Sequence, residues 1–314
     1  MVRRLGLCLI VLGALAAAPA AFAGGPQPMA QQGGLGTLSN DGSVRFVALG
    51  AGTSTVLAKI GVKDGSVHKS QNLIGSFGIP VLAYGGAGEG LFRDGSMLVL
   101  QSTALGKTTD FQIVSTRDFA TRDWITLDGT FTFDALSPDG KRLYLIQHRS
   151  VNDFQHYVVR SFDLTAHRLL PGRIADRTQK SWVMQGWAMT RTTSVDGRWV
   201  YTLYQNPGGY PFIHALDTSR GVAHCIGLPW TASDQSPMAK LVLSLHGKTL
   251  AVHWRSGKAW LNLNTTTWKT SPVRASSFPW LWLVVGLAAA AALAAAGGMA
   301  RRRRAAGTLR VSPA

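Results

Sequence analysis

Four short clusters in this 314-residue chain join side chains that can bind or polarise a ligand. They are Gln147-His148-Arg149, Tyr204-Gln205-Asn206, His253-Trp254-Arg255, and Arg177, Lys180 and Trp182 within "IADRTQKSWVMQGW". Arginine pairs bidentately with carboxylate or phosphate, and tryptophan stacks on a sugar face or a cation. If Gln147, His148, Arg149, Trp182, Gln205, His253, Trp254 and Arg255 meet, they form a basic rim with aromatic platforms around a polar ligand. Otherwise these groups cap strand ends and satisfy loop backbone. No catalytic set stands beside them. The 15 Asp and the single Glu, Glu89, are dispersed or fall in turns, so no carboxylate pair stands out for acid–base work. The eight His show no His-x-His or His-x-x-x-His spacing for a metal, and no Gly-x-Ser-x-Gly nucleophile turn occurs. No catalytic residue, metal ligand or cofactor is expected on these grounds.

Each of three clusters ends a strand that begins at a glycine corner. The corners are "LSNDGSVRFVAL", "LFRDGSMLVLQ", "LSPDGKRLYLI", "TSVDGRWVYTLYQ" and "LSLHGKTLAVHW". Glycine takes φ > 0 without steric cost, and Asp suits the polar corner. The glycines, Gly42, Gly95, Gly140, Gly197 and Gly247, recur at intervals of 53, 45, 57 and 50 residues. That spacing matches repeats of four strands. Further strand signals follow each corner, such as "HYVVRSFDL" and "HRLLPGRI" after the third. Asp41, Asp94, Asp139 and Asp196 are then corner residues, and Asp64, Asp163 and Asp217 belong to the next turns out. Counted from the corners, the fifth unit stops one strand short. Leu35 to Ser39 is expected to supply that strand, pairing within the blade that holds Leu250 to Trp254 and removing two exposed edges.

"SPDGKRLYLI" followed by "VVRSFDL" resembles the bacterial YVTN-type, WD-repeat-like propeller unit. The resemblance covers roughly Leu35 to Val273, and only the third unit carries the full corner motif. It implies an all-β fold, a β-propeller of four-stranded blades in which the strand before the corner is innermost. Five blades are expected, with six or seven as alternatives. Such folds host both binding and catalysis, so the resemblance does not fix an activity.

The two ends give the expected location. "MVRRLGLCLIVLGALAAAPAAFA" has a basic start, an apolar stretch from Leu5 to Ala18 and the small-x-small site Ala21-Phe22-Ala23, so residues 1–23 read as a signal peptide. As a helix those fourteen residues reach only about 21 Å, short of a bilayer core of roughly 30 Å. Residues 278–300 carry no charge and reach about 34 Å as a helix. Trp280 and Trp282 lie at one edge and Arg301 to Arg304 at the other, so this reads as one transmembrane helix with residues 301–314 as a basic cytoplasmic tail. Residues 24–277 are then an extracytoplasmic propeller on a single-pass cell-membrane protein.

Of the net charge of +16, Arg3 and Arg4 carry two and Arg301–Arg304 with Arg310 carry five, which leaves +9 for the propeller. An outward basic surface suits an anionic envelope glycan or a phosphorylated polymer. Nucleic acid is not implied, because the charge is spread out. Cys225, the one cysteine beyond the signal, is expected to be a buried inert thiol in "VAHCIGL". The leading expectation is binding of a ligand or protein partner at the cell envelope without catalysis. The alternatives are a lactonase-like hydrolase or a lyase, and an accessory subunit of a membrane complex. Protease added outside intact cells is expected to remove the propeller and leave the tail protected. A protected propeller, or one released with no membrane fraction, contradicts this topology.

Overall fold

The computed structural model describes residues 29–104, 106–178 and 184–273. The segments expected to be a signal peptide and a transmembrane helix, together with Lys180 and Trp182, lie outside the described residues. Among the described residues no helix is long and apolar enough to cross a membrane.

The corners fold as their residues dictate. Gly42, Gly95, Gly140, Gly197 and Gly247 all have φ between +57° and +74°. In three corners the serine three places before the glycine ties the turn from both sides. Ser39, Ser137 and Ser194 each donate a hydroxyl to Asp41, Asp139 and Asp196 at 2.6 Å. The same hydroxyl oxygens accept from the backbone N–H of Val44, Arg142 and Trp199. Phe92 stands in place of the serine in the second corner, where Asp94 accepts instead from Ser96. In the fifth, Ser244 holds the place but bonds His253, and His246 stands where the others have Asp.

Each corner joins the first two strands of an antiparallel sheet. The described residues form five sheets. The first holds Thr37–Leu38, Val44–Ala51, Ser54–Gly61 and Val67–Ile74. The second holds Phe77–Val81, Met97–Ser102, Thr108–Ser115 and Thr121–Asp128. The third runs Phe131–Leu136, Arg142–Ser150, Asp153–Asp163 and Arg168–Leu169, with Met184–Gln185 also paired to the third strand. Trp187–Thr193, Trp199–Gln205, Phe212–Asp217 and Val222–Gly227 make the fourth. Leu241–His246, Thr249–Trp254, Ala259–Asn264 and Thr270–Pro272 make the fifth. These are the four-stranded blades of a β-propeller, with the strand before the corner at one edge of all but the second.

The expected closure is corrected. Thr37–Leu38 pairs with Val44–Ala51 in the first sheet, Thr37 opposite Phe46. Leu241–His246 already fills the place beside Thr249–Trp254, Leu241 opposite Trp254. In four of the five sheets the strand before the corner has its partner two to five residues away, and that short loop closes at far lower entropic cost than a pairing across two hundred residues. Counting units from corner to corner therefore ran one strand out of phase with the sheets. The N-terminal strand that does add to another sheet is Met29–Gln31, which pairs with Phe77–Val81 of the second.

Apolar side chains of neighbouring sheets pack between them. Phe46 and Leu57 meet Phe77, Ile79 and Leu98 between the first and second sheets. Phe111 and Ile125 meet Phe131 and Leu145 between the second and third. Tyr144 meets Val200 and Leu216 between the third and fourth, and Leu203 and Ile213 meet Leu241 and Val252 between the fourth and fifth.

One connection leaves this pattern. The segment from Leu82 to Gly90, between the first two strands of the second sheet, reaches across to the others. Tyr84 N–H donates to Ala188 O at 3.1 Å, and Gly88 N–H donates to Gly36 O at 3.0 Å. A Cβ on Gly88 would stand 2.7 Å from the Gly36 carbonyl and from Ile79 Cγ2. Only a glycine lets the two backbones approach this closely. Gly88→Ala is expected to lower stability by about 1–3 kcal/mol in chemical denaturation, with the fold kept. An unchanged midpoint would place this loop away from Gly36.

Candidate functional site

The loop ending in Gly90 carries the chain's only glutamate to the inner edges of the third and fourth sheets. Glu89 Oε1 lies 3.3 Å from Arg191 Nε, and Asp134 Oδ1 lies 3.6 Å from Arg191 Nη2. Asp134 sits in Phe131–Leu136 and Arg191 in Trp187–Thr193, each next to an irregularity in register, at Phe133/Ala135 and Ala188/Thr190. Such a bulge re-aims one side chain in an otherwise alternating strand. The side chains of Arg191 and Asp134 are 8% and 3% exposed, while Glu89 keeps 26%.

Burial governs the ionisation of this group. It pushes Glu89 up to about 7, against the pull of Arg191, and Asp134 adds to the rise. Burial likewise raises Asp134, again opposed by Arg191. Around them, burial takes His214 down to about 4, with Arg191 adding to the fall, and raises Tyr157 well above its ordinary value. The three guanidinium nitrogens of Arg191, Asp134 Oδ2, Tyr157 Oη and His214 Nε2 are buried without a hydrogen-bond partner among the described residues. Buried polar atoms normally have one, so a cluster of such atoms marks a place built for water or a ligand.

A cavity of about 310 Å³ opens onto this group from the corner side. Its walls come from the inner strands and corner segments of four sheets, including Leu38, Arg93, Ser137 and Thr193, and both Glu89 and Arg191 line it. Arg93 at its edge donates from Nη1 to Val195 O at 2.8 Å. Two acids of different environment often divide acid and base roles. Here Asp134 is too enclosed to touch a substrate. What the arrangement offers is a positive group set in a polar and apolar cavity, which suits recognition.

Three of the residues singled out by sequence line one cavity together. Gln147, His148 and Arg149 line a separate cavity of about 370 Å³ with His156, Tyr157 and Val158. Gln205, His253, Trp254 and Arg255 do not line it, and Trp182 lies outside the described residues. Gln147 accepts from Arg160 at 2.8 Å. His148 is buried, lies 2.9 Å from the Thr132 hydroxyl and 3.2 Å from Phe154 O, and burial lowers it to about 4, so it stays neutral. Gln101, also at a strand end, accepts from Phe133 N–H at 2.9 Å. His253 bonds Ser244 at 2.9 Å, and Trp254 packs near Trp230 with ring centroids 6.3 Å apart. For Gln101, Gln147, His148 and His253, capping and backbone satisfaction describe these contacts. Arg149 and Arg255 remain exposed. Cys225 Sγ lies 3.5 Å from His214 Nδ1, and burial pushes the thiol up to about 12, so it is protonated at neutral pH. Among the described residues no three His, Cys, Asp or Glu side chains gather to hold a metal ion.

Glutamate binding a proton in the folded state at a pH where the unfolded chain has lost it means that stability falls as pH rises. From Glu89 the loss runs from about 4.5 to about 7, at up to about 1.4 kcal/mol per pH unit. Glu89→Gln is expected to flatten the fall seen in denaturation between pH 5 and pH 8, and to make the protein more stable than the parent at pH 8. Parallel pH profiles for parent and variant would contradict the assignment.

No protein-family model matches the chain, and no curated protein does. Solved structures similar to it include TolB from Acinetobacter baumannii, at 13% identity and TM-score 0.43, covering 74% of this chain and 52% of that one. Hydrazine synthase from Kuenenia stuttgartiensis matches at 14% identity and TM-score 0.41, covering 80% of each. AztD from Citrobacter koseri matches at 13% and 0.38, covering 72% and 58%. This chain spans about half the length of the TolB chain. At such identities the functional reading rests on this chain's own residues.

Proposed function

We propose that this protein is a single-pass membrane protein whose extracytoplasmic propeller binds a small polar ligand at the cell envelope without converting it. The axial cavity is the site, and one observation carries that reading: Arg191, nine-tenths buried, lines the cavity with none of its guanidinium nitrogens hydrogen-bonded among the described residues. The signal-like start and the uncharged segment at 278–300 support the location. A hydrolase or lyase reading would use Glu89 and Asp134 as a pair. It is disfavoured because the 3% exposure of Asp134 keeps it from a substrate.

A second reading, an anionic envelope polymer held at Arg149 and Arg255, is favoured by the exposure of both side chains. Two variants separate the sites. Thr193 is exposed on the cavity wall, and Thr193→Trp fills the mouth without removing a hydrogen bond of the site. With the full chain in detergent, Thr193→Trp is expected to abolish retention of small envelope-derived molecules found by mass spectrometry, whereas Arg149→Ala/Arg255→Ala keeps it. The opposite result would move the site to the exposed arginines, with binding weakened further by salt.

A further inference from the structure

Resting on the reading of the axial cavity as a ligand site, the chemistry of its floor narrows what it can take. Arg191 is one cation between two carboxylates. Asp134 is enclosed and stays beside Nη2, while Glu89 is the acid open to the cavity. An incoming anion and an ionised Glu89 would compete for the same guanidinium at close range, and like charges in such a site repel strongly. Once protonated, Glu89 gives up its claim on Arg191 and gains an O–H to donate.

We infer that the cavity takes a small monoanionic carboxylate, which pairs with Arg191 and accepts from a protonated Glu89, so that binding draws one proton onto Glu89. The charge count supports a single negative charge. Asp134 and Arg191 offset each other, and among the described residues Arg93 at the cavity's edge is the one further cation lining it. The other titratable groups facing this cluster, Tyr157, Tyr204 and His214, are all held neutral by burial. A dianion would leave one charge unbalanced beside the enclosed Asp134. The cavity's size, about 310 Å³, admits a molecule of roughly hexose size. No bond is made or broken in the step: the proton comes from solvent and returns to it on release.

Four probes on one scaffold test the charge rule: glucose, glucosamine, glucuronate and glucose 6-phosphate, titrated calorimetrically into the full chain in detergent. Glucuronate is expected to bind at pH 5.5, and about thirty-fold more weakly at pH 8.5 for a group titrating at about 7. At pH 8, heats compared in buffers of different ionisation enthalpy should show close to one proton taken up per glucuronate. Glu89→Gln should bind with neither pH dependence nor proton uptake, and Arg191→Gln should lose binding. If Arg191→Gln fails to fold, Thr193→Trp serves as the second variant and should also lose binding. No glucuronate heat at pH 5.5 overturns the inference, as does binding without proton uptake. Glucose, glucosamine or glucose 6-phosphate binding in preference, and blocked by Thr193→Trp, keeps the cavity as a site but overturns the carboxylate class. Glucuronate binding that Thr193→Trp leaves intact removes the site itself.

Discussion

The guanidinium of Arg191, held between Glu89 and Asp134, is the constraint on which the centre of this molecule depends. Charges this enclosed persist only when they are paired, because removing a partner leaves an uncompensated charge that costs several kcal/mol. The three residues come from three sheets. Their meeting therefore requires that the sheets stand in register with one another, that two inner strands carry irregularities at the right places, and that a glycine-rich loop can lie flat against neighbouring backbone. Gly88 against Gly36 meets the last condition.

The corners and the centre divide the work. Serine, aspartate and glycine fix three of the five corners locally, by bonds spanning no more than five residues. That frame needs no help from the charged group. The centre, in turn, has polar atoms that the frame leaves without partners, and these face or surround a cavity on the corner side. Arg149, near the far end of the strand that starts at Arg142, lies about 23 Å from the corner at 3.3 Å per residue. The exposed arginines near the far strand ends and the axial cavity are thus separate surfaces, with different access and different chemistry.

Blade type was legible because each repeat carries its own turn chemistry, and a turn is decided within a few residues. The strand phase is not legible for a related reason. "LGTLS" reads equally well as the first strand of its own hairpin or as a spare strand for the last sheet, and only pairing geometry separates the two. The expected site was drawn from polar residues at strand ends, where polar residues occur in any case. Gln101, Gln147 and His148 prove to satisfy backbone and neighbouring side chains. The acidic pair was hidden because Glu89 and Asp134 lie 45 residues apart and meet only through a third residue. A signal did exist. "FTFDAL" places a charge in an apolar inner strand, and "YGGAGEG" places the only glutamate among four glycines. A lone charge where the pattern calls for a hydrophobe is a stronger pointer than a polar loop.

The single glutamate makes the central claim directly measurable. Labelling the full chain with carboxyl-¹³C glutamate gives one side-chain signal, and its titration reports Glu89 alone. Enclosed beside Asp134 and Arg191, it should titrate close to 7, well above an ordinary glutamate. A midpoint at or below 4.5 would mean that Glu89 stands in solvent or is held ionised by Arg191, and either result contradicts the charge arrangement proposed for the cavity.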